Sequence, residues 1–349
     1  MAVMPMVKAG KLDARHLVHD GADFRTSLMI LSIVSPAASR IAPPAAHRYY
    51  LLMHLPVEHR PGREAGRGVG RLVYPVISRR SGGLSLGVNL FPDSKTCSFD
   101  CPYCEVFLPA GRAGDSGAGF SIAALEAEFE DFLTVAYPEA WAPEPVRDIC
   151  LSGNGEPTDS PRLSEALALC ARLRRARADI LGNSSLVLIT NSTGFLDPAV
   201  SSLLERLSRD EGLVVWAKLD AGGEGLFRLM SGVDYSLERI AGGILDFARR
   251  SPVVIQTMLC EVDGRGPAEG DLADYAALLS RLVAGGARID EVHLYTFARP
   301  SPGGRCAPIG DEALRGYAAF VREAVGLPAR AFGPMAELLD SPRLKGIER

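Results

Sequence analysis

From Leu84 onward, short runs of β-branched and other apolar residues alternate with longer amphipathic stretches. This alternation is typical of βα units, in which each strand is followed by a helix and the strands form a parallel sheet. We count six such units, with strands predicted at residues 84–90, 146–152, 185–191, 213–220, 253–259 and 291–297. Because a closed barrel of this kind needs eight units, the sequence predicts an α/β fold with a partial, TIM-like (β/α)6 barrel.

Helices are predicted between these strands. Residues 121–137 place apolar side chains on one face, with Ser121 as the N-cap. A second helix is predicted to begin at Pro161 behind Ser160, because proline is favoured at the first helical position. Later helices are predicted over residues 198–207, 237–249, 272–283 and 312–325.

The chain is predicted to divide into a core and flanking segments. Residues 84–300 form the barrel, residues 47–83 an N-terminal extension and residues 301–349 a C-terminal one. Residues 1–46 are expected to be a disordered leader or an over-extended gene start. The apolar stretch at residues 28–34 is too short to cross a bilayer, so no membrane association is expected.

Composition narrows the class of protein. Hydrophobic residues make up 47% and charged residues 23% of the 349 residues, values close to the soluble globular average. Seven cysteines form an odd and sparse set, unlike the dense frameworks of small secreted domains, so a reducing cytoplasm is the expected location. The net charge of -4 offers no overall attraction for polyphosphate, which disfavours a nucleic-acid partner without excluding one.

Polar residues cluster where the predicted strands end. Strand interiors of a barrel are normally apolar, so polar groups repeated at one end of successive strands indicate a binding or catalytic site. The residues concerned are Cys97, Cys101, Tyr103, Cys104, Gly153, Asn154, Gly155, Glu156, Asn191, Lys218, Asp220, Gln256 and Tyr295.

Three of these residues, Cys97, Cys101 and Cys104, have the spacing C-x3-C-x2-C in the loop after the first strand. An iron–sulfur cube normally takes four protein thiolates, so three thiolates leave one iron open. A structural zinc site is the alternative, but the fourth ligand that it needs is not nearby: the next cysteine is Cys150 inside a strand and the nearest preceding histidine is His59. A disulfide with a spare thiol is disfavoured in a cytosolic chain.

The octapeptide CSFDCPYC resembles the CxxxCxxC signature of the radical S-adenosylmethionine (SAM) superfamily. The stretches SLGVNLFPDSKTCSFDCPYCE, LSGNGEPT, LITNS, VWAKLDAG, VIQTM and EVHLYTFARP resemble successive motifs of the subgroup related to wyosine synthases. The resemblance implies that Cys97, Cys101 and Cys104 hold a 4Fe-4S cluster whose open iron binds SAM. A one-electron reductant of the flavodoxin or ferredoxin type then drives cleavage to methionine and a 5'-deoxyadenosyl radical, which abstracts hydrogen from a substrate.

The resemblance also implies roles for the other strand-end residues. Gly153, Asn154, Gly155 and Glu156 resemble the loop that meets the methionine amino group, with the Glu156 carboxylate as acceptor; a plain turn is the alternative. Candidates for the ribose hydroxyls and the methionine carboxylate are Asn191, Lys218 and Asp220. Lining of the adenine is assigned to Tyr103 and the backbone around Tyr295, while Gln256 either faces the barrel interior or is a satisfied core residue.

The remaining cysteines are assigned from their positions. Cys260 shares strand parity with Gln256 and is a candidate hydrogen donor or substrate contact, although ordinary burial is favoured. Cys150 and Cys170 are predicted to be core residues. Cys306 lies in a Pro/Gly-rich segment without a visible partner.

Three hypotheses remain open, two about the substrate of an enzyme and one in which the protein is not an enzyme. A tRNA base is suggested by the wyosine-type resemblance and by an arginine-rich segment, whose alternative role is a solvated loop: Arg60, Arg63, Arg67, Arg71, Arg79 and Arg80. A peptide, protein or small metabolite is the second hypothesis, with residues 302–349 as a lid or docking surface. A non-catalytic iron–sulfur electron carrier is the third, and it would give the Gly-Asn-Gly-Glu-Pro sequence no purpose.

Overall fold

The structure is a computed structural model, and it describes residues 72–106, 108, 110–111, 119–142, 144–297, 301 and 303–333. The predicted leader, the first four arginines of the arginine-rich segment and the end of the C-terminal extension lie outside these residues. Among the described helices, none is long and apolar enough to cross a membrane.

A curled sheet of eight strands forms the frame of the protein. Its strands, in spatial order, are β1 (Val73–Ser78), β2 (Gly83–Asn89), β3 (Val146–Ser152), β4 (Ser185–Thr190), β5 (Leu213–Lys218), β6 (Val253–Met258), β8 (Ile289–Tyr295) and β10 (Ala329–Phe332). A separate two-stranded sheet joins β7 (Cys260–Val262) to β9 (Cys306–Pro308). All neighbours from β2 to β10 in the large sheet are parallel, and β1 is antiparallel to β2.

The predicted partial barrel is confirmed, and all six predicted strands are present in the predicted order. Two further strands come from segments predicted to be extensions. β1 carries Pro75, which cannot donate to a sheet ladder and which obscures the strand in the sequence; proline is tolerated there because β1 lies at the sheet edge. β10 has four residues and is too short for its alternation to be recognised.

Helices cover the convex face of the sheet. They are α1 (Ile122–Asp131), α2 (Leu163–Ala176), α3 (Ala178–Leu181), α4 (Pro198–Glu211), α5 (Glu224–Ser231), α6 (Leu237–Arg250), α7 (Glu269–Ala284) and α8 (Asp311–Val325). One long cluster of buried apolar side chains lies between these helices and the sheet. Cys170 belongs to it, as predicted.

Several helices differ from the sequence prediction. Ser121 caps α1 as predicted, by accepting from Ala124 N, but after ten residues the chain changes to a π-helical stretch, Phe132–Trp141. The second helix begins at Leu163 rather than Pro161, because Ser160 and Pro161 belong to a turn in which the Ser160 hydroxyl accepts from Arg162 N. The eight-residue α5 was not predicted.

The concave side of the sheet, here called the lumen face, carries every second strand residue. Part of this face is a small cluster of buried apolar side chains: Cys150, Val187, Trp216 and Val254. The prediction that Cys150 is buried is therefore confirmed. The turn between β1 and β2 contacts the far end of the sheet, because Arg79 donates to the Thr296 carbonyl at 2.9 Å. The lumen is therefore bounded on its open side by this turn.

Candidate functional site

The loop that carries Cys97, Cys101 and Cys104 follows β2 and is held from two sides. On one side, Asp100 N donates to the carbonyl of Ser231, the last residue of α5, at 2.8 Å. Gly232, with φ of 70°, ends α5 so close to the loop that a Cβ would lie 2.0 Å from the Asp100 carbonyl oxygen. The unpredicted α5 therefore positions the cysteine loop, and its signal in the sequence is the glycine that ends it.

On the other side, the cysteine loop pairs with the Gly153–Glu156 loop after β3. Thr96 N donates to the Asn154 carbonyl at 3.2 Å, and Glu156 N donates to the Thr96 carbonyl at 2.8 Å. A Cβ on Gly155 would lie 1.9 Å from that Thr96 oxygen. The absence of a side chain at Gly155 thus allows the two loops to dock on each other.

Gly153 and Asn154 attach the same loop to the end of β2. Gly153 has φ of 114°, and a Cβ there would lie 2.7 Å from the Asn89 side-chain oxygen. Asn154 N donates to that oxygen at 3.1 Å, and its side-chain amide donates to the Phe91 carbonyl at 3.1 Å. Both residues therefore contribute to the shape of the site through contacts within the protein.

Glu156 is a buried carboxylate with both oxygens engaged. One oxygen accepts from the backbone and hydroxyl of Thr158 at 3.0 and 2.7 Å, and the other accepts from Asn191 N at 2.6 Å. Burial raises the pKa of Glu156, and these hydrogen bonds oppose the rise. Glu156 consequently joins the end of β4 to the loop after β3.

Asn191 extends this connection to the cysteines. Its side-chain amide donates to the Ser98 hydroxyl at 2.9 Å and lies 3.8 Å from the Cys97 sulfur. Asp159 accepts from Ser98 N at 2.9 Å on the same side. The sequence did not single out Ser98 or Asp159, and only their contacts reveal that they hold the loop.

Lys218, Asp220, Tyr103 and Tyr295 form one polar unit beside the cysteine loop. Lys218 donates to the Tyr295 hydroxyl at 2.9 Å, lies 3.4 Å from Asp220, and sits 4.7 Å from the centre of the Tyr103 ring. The Tyr103 hydroxyl donates to Asp220, whose other oxygen accepts from Met258 N at 2.8 Å. Tyr103 is thus held by its hydroxyl with one ring face toward a cation.

Burial by itself lowers the pKa of Lys218, but the Asp220 carboxylate and its other partners outweigh burial and raise it. Lys218 therefore stays positively charged beside the cysteine loop at neutral pH. Its charge opposes part of the effect of burial on Cys101, whose pKa is nevertheless raised to about 11.

Gln256 faces the lumen and is fully satisfied there. Its carbonyl oxygen accepts from Arg80 at 2.5 Å, and its amide donates to His293 Nδ1 at 2.6 Å. His293 Nε2 in turn lies 2.7 Å from Glu291, which also pairs with Arg330. Gln256 therefore faces the lumen and is also hydrogen-bonded within the protein, so the two alternatives do not exclude each other. Strand parity with Tyr295 is the signal that would have placed His293 in this network.

Lowering the pH from 7.5 to 5 is expected to destabilise the folded protein through His293. Burial holds the pKa of His293 down at about 4, against the opposing effect of Glu291. The unfolded chain takes up this proton near pH 6.5, so the contribution is complete above that pH, falls as pH drops toward 4, and amounts to about 3 kcal/mol at most. Urea unfolding of the native protein and His293→Gln at both pH values measures it.

The charged groups that act on the pKa of His293 are Glu291, Arg330 and Arg80, and the variant leaves all three in place. The glutamine variant retains an amide that donates and accepts but does not titrate. Its free energy of unfolding should depend less on pH than that of the native protein. Parallel pH dependences for the two proteins would show that His293 is not the group responsible.

The three loop cysteines fit an iron–sulfur cluster in the chemistry of their donor set. They share one loop, and Cys101 and Cys104 both contribute to raising the pKa of Cys97, which burial raises to about 12. Among the described residues, however, no three Cys, His, Asp or Glu side chains are arranged so that they could hold a metal ion. Burial holds the pKa values of Cys97 and Cys101 above neutral pH, so a metal would have to displace the protons of these two thiols.

Cys260 and Cys306 correct a prediction. The sequence left Cys306 without a partner, but β9 pairs with β7 and brings Cys306 beside Cys260. Cys260 is buried, as predicted, in an apolar cluster with Tyr103, Met258 and Tyr295. Residues far apart in sequence meet here because a three-residue strand after β8 returns to β7.

A solved structure has a similar fold. The crystal structure of a radical SAM methyltransferase from Sphaerobacter thermophilus superposes with a TM-score of 0.53. The match covers 82% of this chain and 84% of that one at 15% sequence identity, so it concerns the fold alone.

The sequence was compared with protein-family models and with known proteins. No family model matches the chain. A UPF0026 protein of Helicobacter pylori is 28% identical over 272 residues, which span 76% of this chain and 78% of the relative. A UPF0026 protein of Synechocystis sp. is 31% identical over 199 residues, which span 54% of this chain and 64% of the relative. The chain is thus similar to UPF0026 proteins over half to three quarters of its length.

Proposed function

We propose that this protein is a radical SAM enzyme in which Cys97, Cys101 and Cys104 hold a 4Fe-4S cluster that binds SAM. The observation that carries the proposal is the docking of the cysteine loop on the Gly153–Glu156 loop at the strand ends of a partial barrel. When bound, the cluster and SAM would supply a 5'-deoxyadenosyl radical through one-electron cleavage. The similarity of the fold to that of a radical SAM methyltransferase supports this chemistry.

The protein's own residues position the reactants. Glu156 positions Asn191, and Asn191 in turn contacts Cys97, through the hydrogen bonds described above. Lys218 is a buried cation held by Asp220, and it is the candidate for the methionine carboxylate because a fixed charge in a low-dielectric site binds an anion strongly. Tyr103, buried in a cluster with Met258 and Tyr295, helps to exclude water and is the candidate to line the adenine.

Glu156 is assigned an organising role and remains the candidate acceptor for the methionine amino group. Its carboxylate already accepts hydrogen bonds from Asn191 N, from the backbone and hydroxyl of Thr158, and from Thr190. Because two carboxylate oxygens offer about four lone-pair sites, the ammonium would have to displace one of these donors.

The substrate is proposed to be a peptide, protein or small metabolite rather than a tRNA base. Arg79 donates to backbone carbonyls and Arg80 donates to Gln256, so these two arginines are engaged by the protein itself. The wyosine-type assignment has no further support from the described residues. Electrons are expected from a flavodoxin or ferredoxin type carrier in a reducing cytoplasm, which suits a thiolate-bound cluster.

Anaerobic reconstitution with iron and sulfide, followed by reduction with dithionite in the presence of SAM, tests the proposal. We expect 5'-deoxyadenosine and methionine to be released in equal amounts. The matched control omits iron and sulfide and should release neither product. Protein that contains zinc or no metal after reconstitution, and that leaves SAM intact, would exclude radical SAM chemistry.

A further inference from the structure

Two cysteines outside the cysteine loop lie side by side in the small sheet. Its antiparallel register pairs Cys260 with Pro308 and Val262 with Cys306. Cys260 and Val262 are two residues apart and point to the same side of β7, and Cys306 lies opposite Val262 on that side. The two cysteines are therefore diagonal neighbours on one face of the small sheet, and each thiol affects the pKa of the other.

The neighbouring residues fix this register. Asp263 N donates to the Arg305 carbonyl at 2.8 Å, and the Arg305 guanidinium donates to the Asp263 carboxylate, with Nε at 3.0 Å from Oδ1. These contacts come immediately after β7 and immediately before β9. Because the small sheet has two strands of three residues and is separate from the large sheet, these contacts at its end help to keep Cys306 next to Cys260.

The two thiols differ in their access to solvent. Cys260 is 3% exposed, whereas Cys306 is partly exposed. The apolar cluster around Cys260 also contacts Cys101, one of the proposed cluster ligands. The pair thus connects the protein surface, at Cys306, with the wall of the candidate site.

We propose that Cys260 and Cys306 are a redox-active thiol pair that forms a reversible disulfide with a low-molecular-weight disulfide of the glutathione type. The Cys306 thiolate attacks the oxidised partner, forming a mixed disulfide and releasing one thiol. Cys260 then loses its proton and attacks the Cys306 sulfur, which forms the intramolecular disulfide and releases the second thiol. Two protein thiols are oxidised while one glutathione disulfide becomes two glutathione thiols, so electrons and protons balance.

The order of attack follows from the surroundings of the two sulfurs. Burial raises the pKa of both thiols, but Cys306 is the less buried one, and the Arg305 cation opposes the rise there. Cys306 therefore provides the more accessible thiolate. Cys260 reacts second because the mixed disulfide forms on Cys306, which lies next to it.

Peptide mapping of the oxidised, full-length protein tests this pairing directly. Trypsin would release Cys260 in residues 251–265, Cys306 in residues 306–315, and the three loop cysteines together in residues 96–112. After exposure to oxidised glutathione, we expect the first two peptides to be recovered as one disulfide-linked species. Alkylation of both cysteines should be lost, and dithiothreitol should restore it.

Two single variants separate the roles of the cysteines. In Cys260→Ser, Cys306 should accumulate as the mixed disulfide with glutathione, while in Cys306→Ser neither peptide should be modified. The peptide of residues 163–172, which contains the buried Cys170, is the internal control and should stay unmodified. Full alkylation of Cys260 and Cys306 after oxidation, or their linkage only to residues 96–112, would overturn the proposal. The readout does not depend on SAM cleavage, so it stands or falls separately from the proposed function.

Discussion

Cys101→Ala is expected to lose its iron–sulfur centre and to form 5'-deoxyadenosine only at background level. Two thiolates remain in the loop of this variant, and no other Cys, His, Asp or Glu among the described residues completes a metal-holding group. Changes to residues that merely contact metal ligands cost 10–100-fold in metal affinity, so removal of a ligand should cost at least about 100-fold. Iron and acid-labile sulfide per chain, measured after anaerobic reconstitution, report the loss independently of turnover.

Cys170→Ala is the matched control for this variant. It also removes one thiol, but from the apolar face of α2, where Cys170 is fully buried. The small cavity left behind should cost about 1–2 kcal/mol of stability and leave iron content and product formation unchanged. Equal iron content in Cys101→Ala and the native protein would mean that Cys101 is not a ligand, and the proposed function would need a different metal site.

Gly155→Ala is expected to separate the two loops of the candidate site. The added Cβ would meet the Thr96 carbonyl oxygen at 1.9 Å, and this oxygen belongs to the backbone and cannot rotate away. Relief requires the loops to move apart, which breaks the bonds from Glu156 N to Thr96 and from Thr96 N to Asn154. The combined cost should be about 2–4 kcal/mol of stability, together with a large loss of reconstituted iron, because the cysteine loop loses its seat.

Gly316→Ala provides the comparison for this substitution. Gly316 lies within α8, and a Cβ there would have no atom within 4 Å. Alanine has a higher helix propensity than glycine, so this variant should be more stable by about 0.5–1 kcal/mol with unchanged iron content. Urea unfolding and iron analysis of both variants measure the two effects. If Gly155→Ala retained native stability and iron, the close docking of the loops would not be required for the site.

Much of the fold followed from the chain's periodicity. The six strands predicted from alternation all belong to the sheet, since a parallel strand covered on both faces needs a continuous apolar run that is visible locally. The edge strand β1 escaped notice because it contains Pro75, and the edge strand β10 because it has only four residues. The boundary of the second helix was misplaced because Ser160 and Pro161 form a turn as readily as they cap a helix.

The candidate site was predicted in part. Strand-end positions identified Lys218, Asp220 and Tyr295, and the structure brings these three together around Tyr103. Their hydrogen bonds to one another were not predictable, because each bond joins residues from different strands or loops. The roles of the glycines also changed: Gly155 accommodates the Thr96 backbone, a contact that sequence spacing does not reveal.

The sequence by itself determined six strands of the sheet, the loop that holds three cysteines, and the set of polar residues at the strand ends, because these depend on local periodicity and on position along a strand. Only the tertiary structure decided which partners those residues take. Glu156 faces Asn191 and Thr158, Gln256 joins Arg80 to His293, and Cys306 meets Cys260. Such pairings arise when curvature of the sheet brings distant segments together, and no local pattern of residue types encodes that distance.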